Sequence, residues 1–285
     1  MTEPLEPFDI DWSEAADRLA ASAHNDEEWY RSVVATLVRP GDRVAVDVGC
    51  GGGGMAVVLA SALGPQARVI GVDGAPDVLA KARELAGDAV EFVLADLHHG
   101  MAPVRGHVPD GADVIWASAS VHHLGDQQAA VDALAALLRP GGRLALAEGG
   151  LAAKHLPFDV GVGEPGLENR LQAAQEAWFV QMRANLPGSV RMPYGWAEAL
   201  RRAGLRAQTR TWLIEIPPPL PKEVLPMLTD RFGHRSGRLH EIGLISDDDA
   251  AAWRRLLDPT DEAYLGNRDD LFTLDARSVH VGVRA

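Results

Sequence analysis

Cysteine is almost absent: Cys50 stands alone in a chain of 285 residues. No internal disulfide can form, which points to a reducing compartment, and no Cys-x-x-Cys pair exists to build a zinc ribbon. No run of about 18 apolar residues occurs, so no membrane-spanning helix is expected. The head of the chain, residues 1–7, is acidic and Pro-rich; it has neither the basic nor the apolar region of a signal peptide, and a cytoplasmic location is expected. Basic residues are scarce. Lys+Arg number 27 against 40 Asp+Glu, a formal net charge of -13. Phosphate contacts need clustered cations, so neither nucleic acid nor an anionic membrane is an expected partner. Repeats and low-complexity tracts are missing too. What is present is a hydrophobic fraction of 47%, enough for a real core in one large α/β domain or a domain with a lid.

The chain is organised around residues 44–54, Val-Ala-Val-Asp-Val-Gly-Cys-Gly-Gly-Gly-Gly. Mostly apolar, β-prone residues run into a glycine cluster, and a helical run over 55–63 follows at once. Glycines serve where a backbone turns sharply or a ligand comes too close for a Cβ. Such a turn aims free N–H groups at whatever sits over the helix N-terminus. A nucleotide-like ligand at the carboxyl end of a first parallel strand is therefore expected. Two registers are possible. Gly49, Gly51 and Gly54 make the dinucleotide pattern G-x-G-x-x-G, which alone is weak. Asp47, Gly49, Gly51 and Gly53 make D-x-G-x-G-x-G. A carboxylate before the loop suits a cationic ligand and repels a pyrophosphate.

Strand and helix then alternate with short loops. Residues 68–73 read as a second strand ending in Asp73, about 20 residues beyond the glycines, where a carboxylate reaches ribose hydroxyls. Residues 90–96 read as a third strand, ending in Asp96; 112–118 read as a fourth; and 143–148, after Arg139-Pro-Gly-Gly142, as a fifth. This pattern predicts a doubly wound parallel sheet. Before it, residues 11–38 read as one or two helices, either packed on the sheet or a flap carrying Trp29 and Tyr30. After Gly150 the alternation stops. A helix over 167–186, a sixth strand at 207–216, helical patches at 223–231 and 247–257, and a last strand over 271–284 are expected.

By residue 150 the pattern resembles the class I S-adenosylmethionine-dependent methyltransferases, in their small-molecule branch. The resemblance rests on the glycine loop with Asp47, on Asp73, on Asp96, and on Leu137-Leu-Arg-Pro-Gly-Gly-Arg-Leu144. It is specific over residues 40–150 and holds in outline beyond. It implies a Rossmann-like seven-stranded sheet, with strands one to five parallel and a C-terminal antiparallel hairpin. The expected organisation is one continuous domain: an N-terminal helical flap (1–39), the cofactor-binding core (40–150), a helical cap (151–205), and strands six and seven (206–285) with a helical insertion at about 217–270. The implied cofactor is S-adenosyl-L-methionine, with S-adenosyl-L-homocysteine as product. By position, the backbone of Gly49 and Gly51 passes beneath its methionine part, Gly53 belongs to the same cofactor-binding loop, and Asp47 helps hold its ammonium, directly or through water. Asp73, with Gly74 beside it, takes the ribose diol. Asp96 and Leu97 hold the adenine, and Ala117 and Ser118 line the sulfonium side.

A sulfonium methyl is already activated, so such a protein mainly aligns an acceptor and excludes water. A general base helps where the acceptor is a hydroxyl or a protonated amine. The candidates are His122 and His123 after strand four, with His123 preferred, and Glu148 after strand five, which could bind a basic acceptor or be a satisfied strand end. The end of strand four is Ala-Ser-Ala-Ser, not the Asn/Asp-Pro-Pro-aromatic signature of many amine methyltransferases acting on nucleic acids and proteins. Adjacent histidines (98–99 and 122–123) seldom converge on one ion, and no metal is expected. An insert bearing Trp178, Phe179, Met182, Met192, Tyr194 and Trp196 suggests an apolar acceptor. The expected function is methyl transfer to a small molecule, first of all to oxygen. The alternatives are an NAD(P)-dependent oxidoreductase in the other glycine register and a non-catalytic S-adenosylmethionine-binding protein. The sequence is silent on the acceptor and on oligomeric state.

Overall fold

A computed structural model describes Phe8 and residues 10–285, apart from the side chains of Ser13 and His99. The expected acidic head at 1–7 thus lies outside the described residues. The parallel core begins with β1 (Val44–Val48), which enters the glycine loop, and α3 (Gly54–Leu63) leaves it. Then follow β2 (Arg68–Asp73), α4 (Pro76–Ala86), β3 (Glu91–Leu94), α5 (Ala102–His107), β4 (Ala112–Ser118) and α6 (Gln127–Ala136). Pro76 opens α4, where its missing N–H is no loss, and the Asp126 side chain accepts from Ala129 N–H to cap α6. β5 spans Leu138–Lys154, β6 Arg206–Ile216 and β7 Thr273–Val283.

The strands form one seven-stranded sheet in the order β3-β2-β1-β4-β5-β7-β6. β1 to β5 are parallel, and β7 and β6 complete the sheet as an antiparallel hairpin, as expected. The central strands are buried on both faces, so they read as continuous apolar runs. Val46, Ile70, Ile115 and Leu144 have no exposed surface. The chain order reverses between β1 and β4. At such a switch point the loops after the two strands part and leave a crevice at their carboxyl ends.

Two compact units emerge. One comprises Ile10–Gly149, Leu186–Thr211 and Ser278–Ala285. It holds α1 (Trp12–Asn25), α2 (Glu27–Leu37), the core strands and α8 (Trp196–Arg202). At the foot of its sheet, buried Arg143 is paired with buried Asp42 and also donates to Leu37 O. Asp113 accepts from the N–H groups of Arg43 and Val44 and pairs with Arg139, so the entry to β1 is tied to β4. The other unit comprises Phe8, Gly150–Asn185 and Trp212–Arg277. Its helices are α7 (Leu167–Asn185), α9 (Leu225–Glu241) and α10 (Asp247–Leu257). Its centre is the stacked pair Phe232–Trp253, 4.6 Å between ring centroids, with Leu171, Leu239 and Leu256 buried.

Several boundaries differ from expectation. Pro140-Gly-Gly142, read as a helix stop, lies inside the first bend of β5, where Gly141 has φ 79° and donates to Arg284 O. α9 runs ten residues past the expected end at Arg231, because Phe232, Ser236 and Leu239 extend its buried face. Helix α5 is six residues long, with Pro103 in its first turn and Gly106 near its end, and is too short to leave a periodic signal. The aromatic insert does not form one surface. Trp178 and Met182 are buried on α7, whereas Met192, Tyr194 and Trp196 pack on the core of the other unit.

Candidate active site

The glycine loop is shaped by sterics that only glycine satisfies. Gly49 has φ 66°, and a Cβ there would lie 2.5 Å from Ser120 Cβ. The Gly49 and Cys50 N–H groups both donate to Val72 O, which fastens the loop to β2. Helix α1 lies directly on the loop: a Cβ on Gly52 would sit 2.6 Å from Leu19 O. This contact belongs to α1. The aromatic pair expected in a flap is placed elsewhere, since Trp29 is buried on α2 with its ring 5.9 Å from Trp116 of β4. From the start of α1, Trp12 meets His123 edge to face at 5.1 Å.

Asp47 is the most informative group here. It is 2% exposed, and its Oδ2 is buried with no hydrogen-bond partner. Burial and the neighbouring Asp73 carboxylate raise its pKa from 3.8 to about 7, against the pull of a hydrogen bond from the Ala56 backbone. A buried carboxylate oxygen left unpaired is costly unless a ligand supplies the donor. Asp73 ends β2. Its Oδ2 accepts from Gly51 N–H at 3.0 Å and its Oδ1 from Ala75 N–H at 3.0 Å. Burial raises its pKa, opposed by backbone N–H groups of Ala75, Gly51 and Gly74. Asp73 therefore ties the loop to the end of β2. Cys50 is buried, and burial with the charges of Asp47 and Asp73 pushes its thiol pKa up, which makes it inert.

Asp96 lies two residues past β3 and is exposed; its Oδ1 accepts from His98 N–H and caps the 3-10 turn at Leu97–His99. Leu97 is half-buried. Asp47, Asp73 and Asp96 thus sit at the carboxyl ends of three adjacent strands, β1, β2 and β3. Gly53 caps α3 with φ 81°, and Gly74 follows Asp73 directly. Ala117 is fully buried in the sheet, and Ser118, the last residue of β4, is half-buried.

The turn after β4 carries a further marker. Ala119 has φ 47°, a left-handed conformation that a residue with a Cβ adopts only when its surroundings hold it there. Those surroundings are Ser120, whose hydroxyl donates to Val48 O at 3.0 Å, and Glu148. Glu148 is buried at 3% exposure. Its Oε1 accepts from Ser120 and Val121 N–H at 3.1 and 2.9 Å, and its Oε2 lies 2.6 Å from His122 Nδ1. A carboxylate only accepts, so the Nδ1 proton belongs to His122 and leaves Nε2 as the imidazole's accepting nitrogen. Glu148, His122 and the β4 turn are brought together; His123 faces Trp12 instead, with 4.2 Å between the two imidazole centroids. Sequence reasoning missed Ser120, Trp12 and His280, whose Nε2 lies 3.1 Å from Glu148 O. Their signal is spatial, across 28 to 132 positions of chain.

Comparison with known proteins agrees with this geometry. Residues 46–146 match the family described as a methyltransferase domain. A trans-aconitate 2-methyltransferase of Rhodopseudomonas palustris strain BisB18 is 32% identical over 179 residues, 60% of this chain and 61% of the relative. A trans-aconitate 2-methyltransferase of Paracidovorax citrulli strain AAC00-1 is 41% identical over 101 residues, 35% of this chain and 36% of the relative. The 27-O-demethylrifamycin SV methyltransferase of Amycolatopsis mediterranei strain S699 is 35% identical over 117 residues, 39% and 40% of the two chains. The chain thus spans less than two thirds of the length of each of these curated relatives. The glycine loop and the acids Asp47, Asp73 and Asp96 all fall within the segment that matches the methyltransferase-domain family.

Proposed function

We propose that the protein transfers the methyl group of S-adenosylmethionine to a small-molecule acceptor, first of all to an oxygen. The observation that carries this reading is the unpaired, buried Oδ2 of Asp47 at the entry to a glycine loop that Asp73 fastens. A ligand ammonium meets that oxygen's missing donor, whereas a pyrophosphate would be repelled by both carboxylates. Relatives named for trans-aconitate and for an O-demethylated rifamycin support a small-molecule acceptor, and the latter supports oxygen. The net charge of -13 argues against a nucleic-acid acceptor. The lone buried Cys50 suits a reducing cytoplasm.

When bound, the cofactor supplies a methyl group already activated by its sulfonium. The chain's own residues then bind, align and accept a proton. Asp47 would hold the ammonium, with the backbone of Gly49, Gly51 and Gly53 beneath the methionine part. Asp73 and Gly74 would take the ribose diol, Asp96 and Leu97 the adenine, and Ala117 and Ser118 the sulfonium side. Helix α1, with Trp12, would be the flap that keeps water out. Of the two rim histidines we assign the acceptor's proton to His122 Nε2. His123 is preferred on sequence alone, but the hydrogen bond to Glu148 orients His122 and fixes its tautomer. Glu148 is then a positioning residue rather than a binder of the acceptor.

Calorimetry of the purified chain with S-adenosylmethionine, S-adenosylhomocysteine and NAD tests the donor site. The first two are expected to bind, and Asp73→Ala is expected to weaken both by about tenfold or more, the worth of hydrogen bonds to a charged group. Binding of NAD alone would overturn the reading. An acceptor library screened for methyl transfer then tests the substrate class.

A further inference from the structure

We propose that the unit built from α7, α9 and α10 contains a binding site for a carboxylate-bearing small molecule. A cavity of about 180 Å³ lies within that unit. Arg231, Arg235, His155, Glu168, Gln172 and Phe232 are among the residues that line it. Every other feature of the unit shows how it treats arginine. Arg170 is clamped by Asp249, Arg255 by Asp261, Arg268 by Asp270 and Arg277 by Asp275. Arg231 and Arg235, the two arginines that line the cavity, make no ion pair among the described residues. Arg235 has a single hydrogen bond, to the neutral Gln172 Oε1 at 3.4 Å. In a chain with 40 acidic residues, a half-buried guanidinium without a carboxylate is a conspicuous cost.

Two further observations point to a ligand. His155 is 6% exposed, and its Nε2 is buried with no partner, while its Nδ1 lies 3.0 Å from Thr273 Oγ1. Burial, with Arg231 nearby, lowers the His155 pKa to about 4, so this imidazole is neutral and adds no charge. Glu168, the cavity's one carboxylate, is already occupied. It accepts from the N–H groups of His155 and Leu156, and burial raises its pKa. Arg235 keeps its proton even so, with a pKa lowered to about 10 by burial and by Arg231 and Arg238. Two cations against one committed carboxylate leave a surplus of one positive charge. That balance suits a monoanionic carboxylate better than a doubly charged phosphate. Guanidinium forks match carboxylates in a plane with two parallel bonds. Phe232 supplies an apolar wall, which an organic acid uses and an inorganic ion does not.

The test is calorimetry and thermal unfolding of the full chain with butyrate, benzoate and inorganic phosphate, with butyramide as the uncharged control. Saturable binding of a carboxylate is expected, with a rise in Tm that follows occupancy, and no response to butyramide. Arg235→Gln is expected to weaken that binding about tenfold or more. Arg231→Gln, on the exposed turn of α9, should weaken it as well without risk to folding, and Arg201→Gln, paired with Glu198 on the surface of α8, should not change it. These titrations contain no methyl donor, so their outcome is independent of the reading of the glycine loop. No saturable binding of either carboxylate, tighter binding of phosphate, or binding indifferent to both arginine variants would overturn the proposal.

Discussion

The two units of this chain differ in how they hold the polar groups that bear on function. Around the glycine loop, function-bearing groups are fixed by the backbone. Asp73 is held by the N–H groups of Gly51 and Ala75, and Glu148 by those of Ser120 and Val121. In the unit of α7, α9 and α10 the arginines are fixed in large part by other side chains: Arg170 by Asp249, Arg238 by the Trp178 face at 4.0 Å, Arg235 by Gln172, while Glu168 is held by the N–H groups of His155 and Leu156. Backbone-held sites are rigid and tolerate little change in loop geometry. Side-chain-held sites can be rewritten one residue at a time, which suits the part of a protein that selects among ligands.

If this division is real, damage to one unit should leave the other's chemistry alone. The largest effect is expected from Trp253→Ala. Trp253 is 1% exposed and stacked on Phe232. Its loss should destabilise the helical unit by about 3–5 kcal/mol. Hydrogen exchange should show protection lost over residues 225–257 and retained over 44–73, with cofactor affinity within twofold of the parent. Loss of protection in both stretches together would break the comparison.

Next in size, His122→Asn should lower kcat for a hydroxyl acceptor about 100-fold, the ordinary worth of a positioned base. Cofactor affinity and Tm should move little, because Glu148 keeps its two backbone donors. An unchanged kcat would reduce the site to alignment alone.

The smallest effect is the most diagnostic. Asp47 has a pKa of about 7 in the folded chain against its ordinary value of 3.8. Between those values the folded state holds a proton that the unfolded chain has released. Stability therefore falls as pH rises from 3.8 to about 7, and the full cost persists above that. A ligand ammonium favours the ionised form, so cofactor affinity should climb with pH by up to about tenfold per unit until it levels near neutrality. Asp47→Asn should flatten both dependences, gaining stability at pH 8 relative to pH 5 while binding the cofactor more weakly. A parent affinity that does not vary over this range would detach Asp47 from the ligand.

Legibility follows the same division. The loop at Gly49–Gly53 and the acids Asp47 and Asp73 could be read directly, because a backbone that must adopt φ 66° or close a buried strand constrains the residue in place; Asp96, expected to end the third strand, lies two residues past β3. Helices with one apolar face, such as α10 behind the Ser246 cap, were equally plain. The pairing of His122 with Glu148 was not, since the partners stand 26 positions apart and each is ordinary in its own neighbourhood. Nor was the choice between His122 and His123, which turns on a side-chain direction.

The amino-acid order by itself determined the alternating core, its carboxylates at the strand ends and the glycine loop, because these depend on local dihedrals, on strand and helix periods, and on short turns. Only the tertiary structure decided that α1 rather than Trp29 lies on the loop, that Glu148 is held by the β4 turn, and that Arg231 and Arg235 share a cavity with His155. Those outcomes come from packing and charge between elements far apart in the chain, where burial leaves one oxygen or one guanidinium unpaired, and no local pattern records which one.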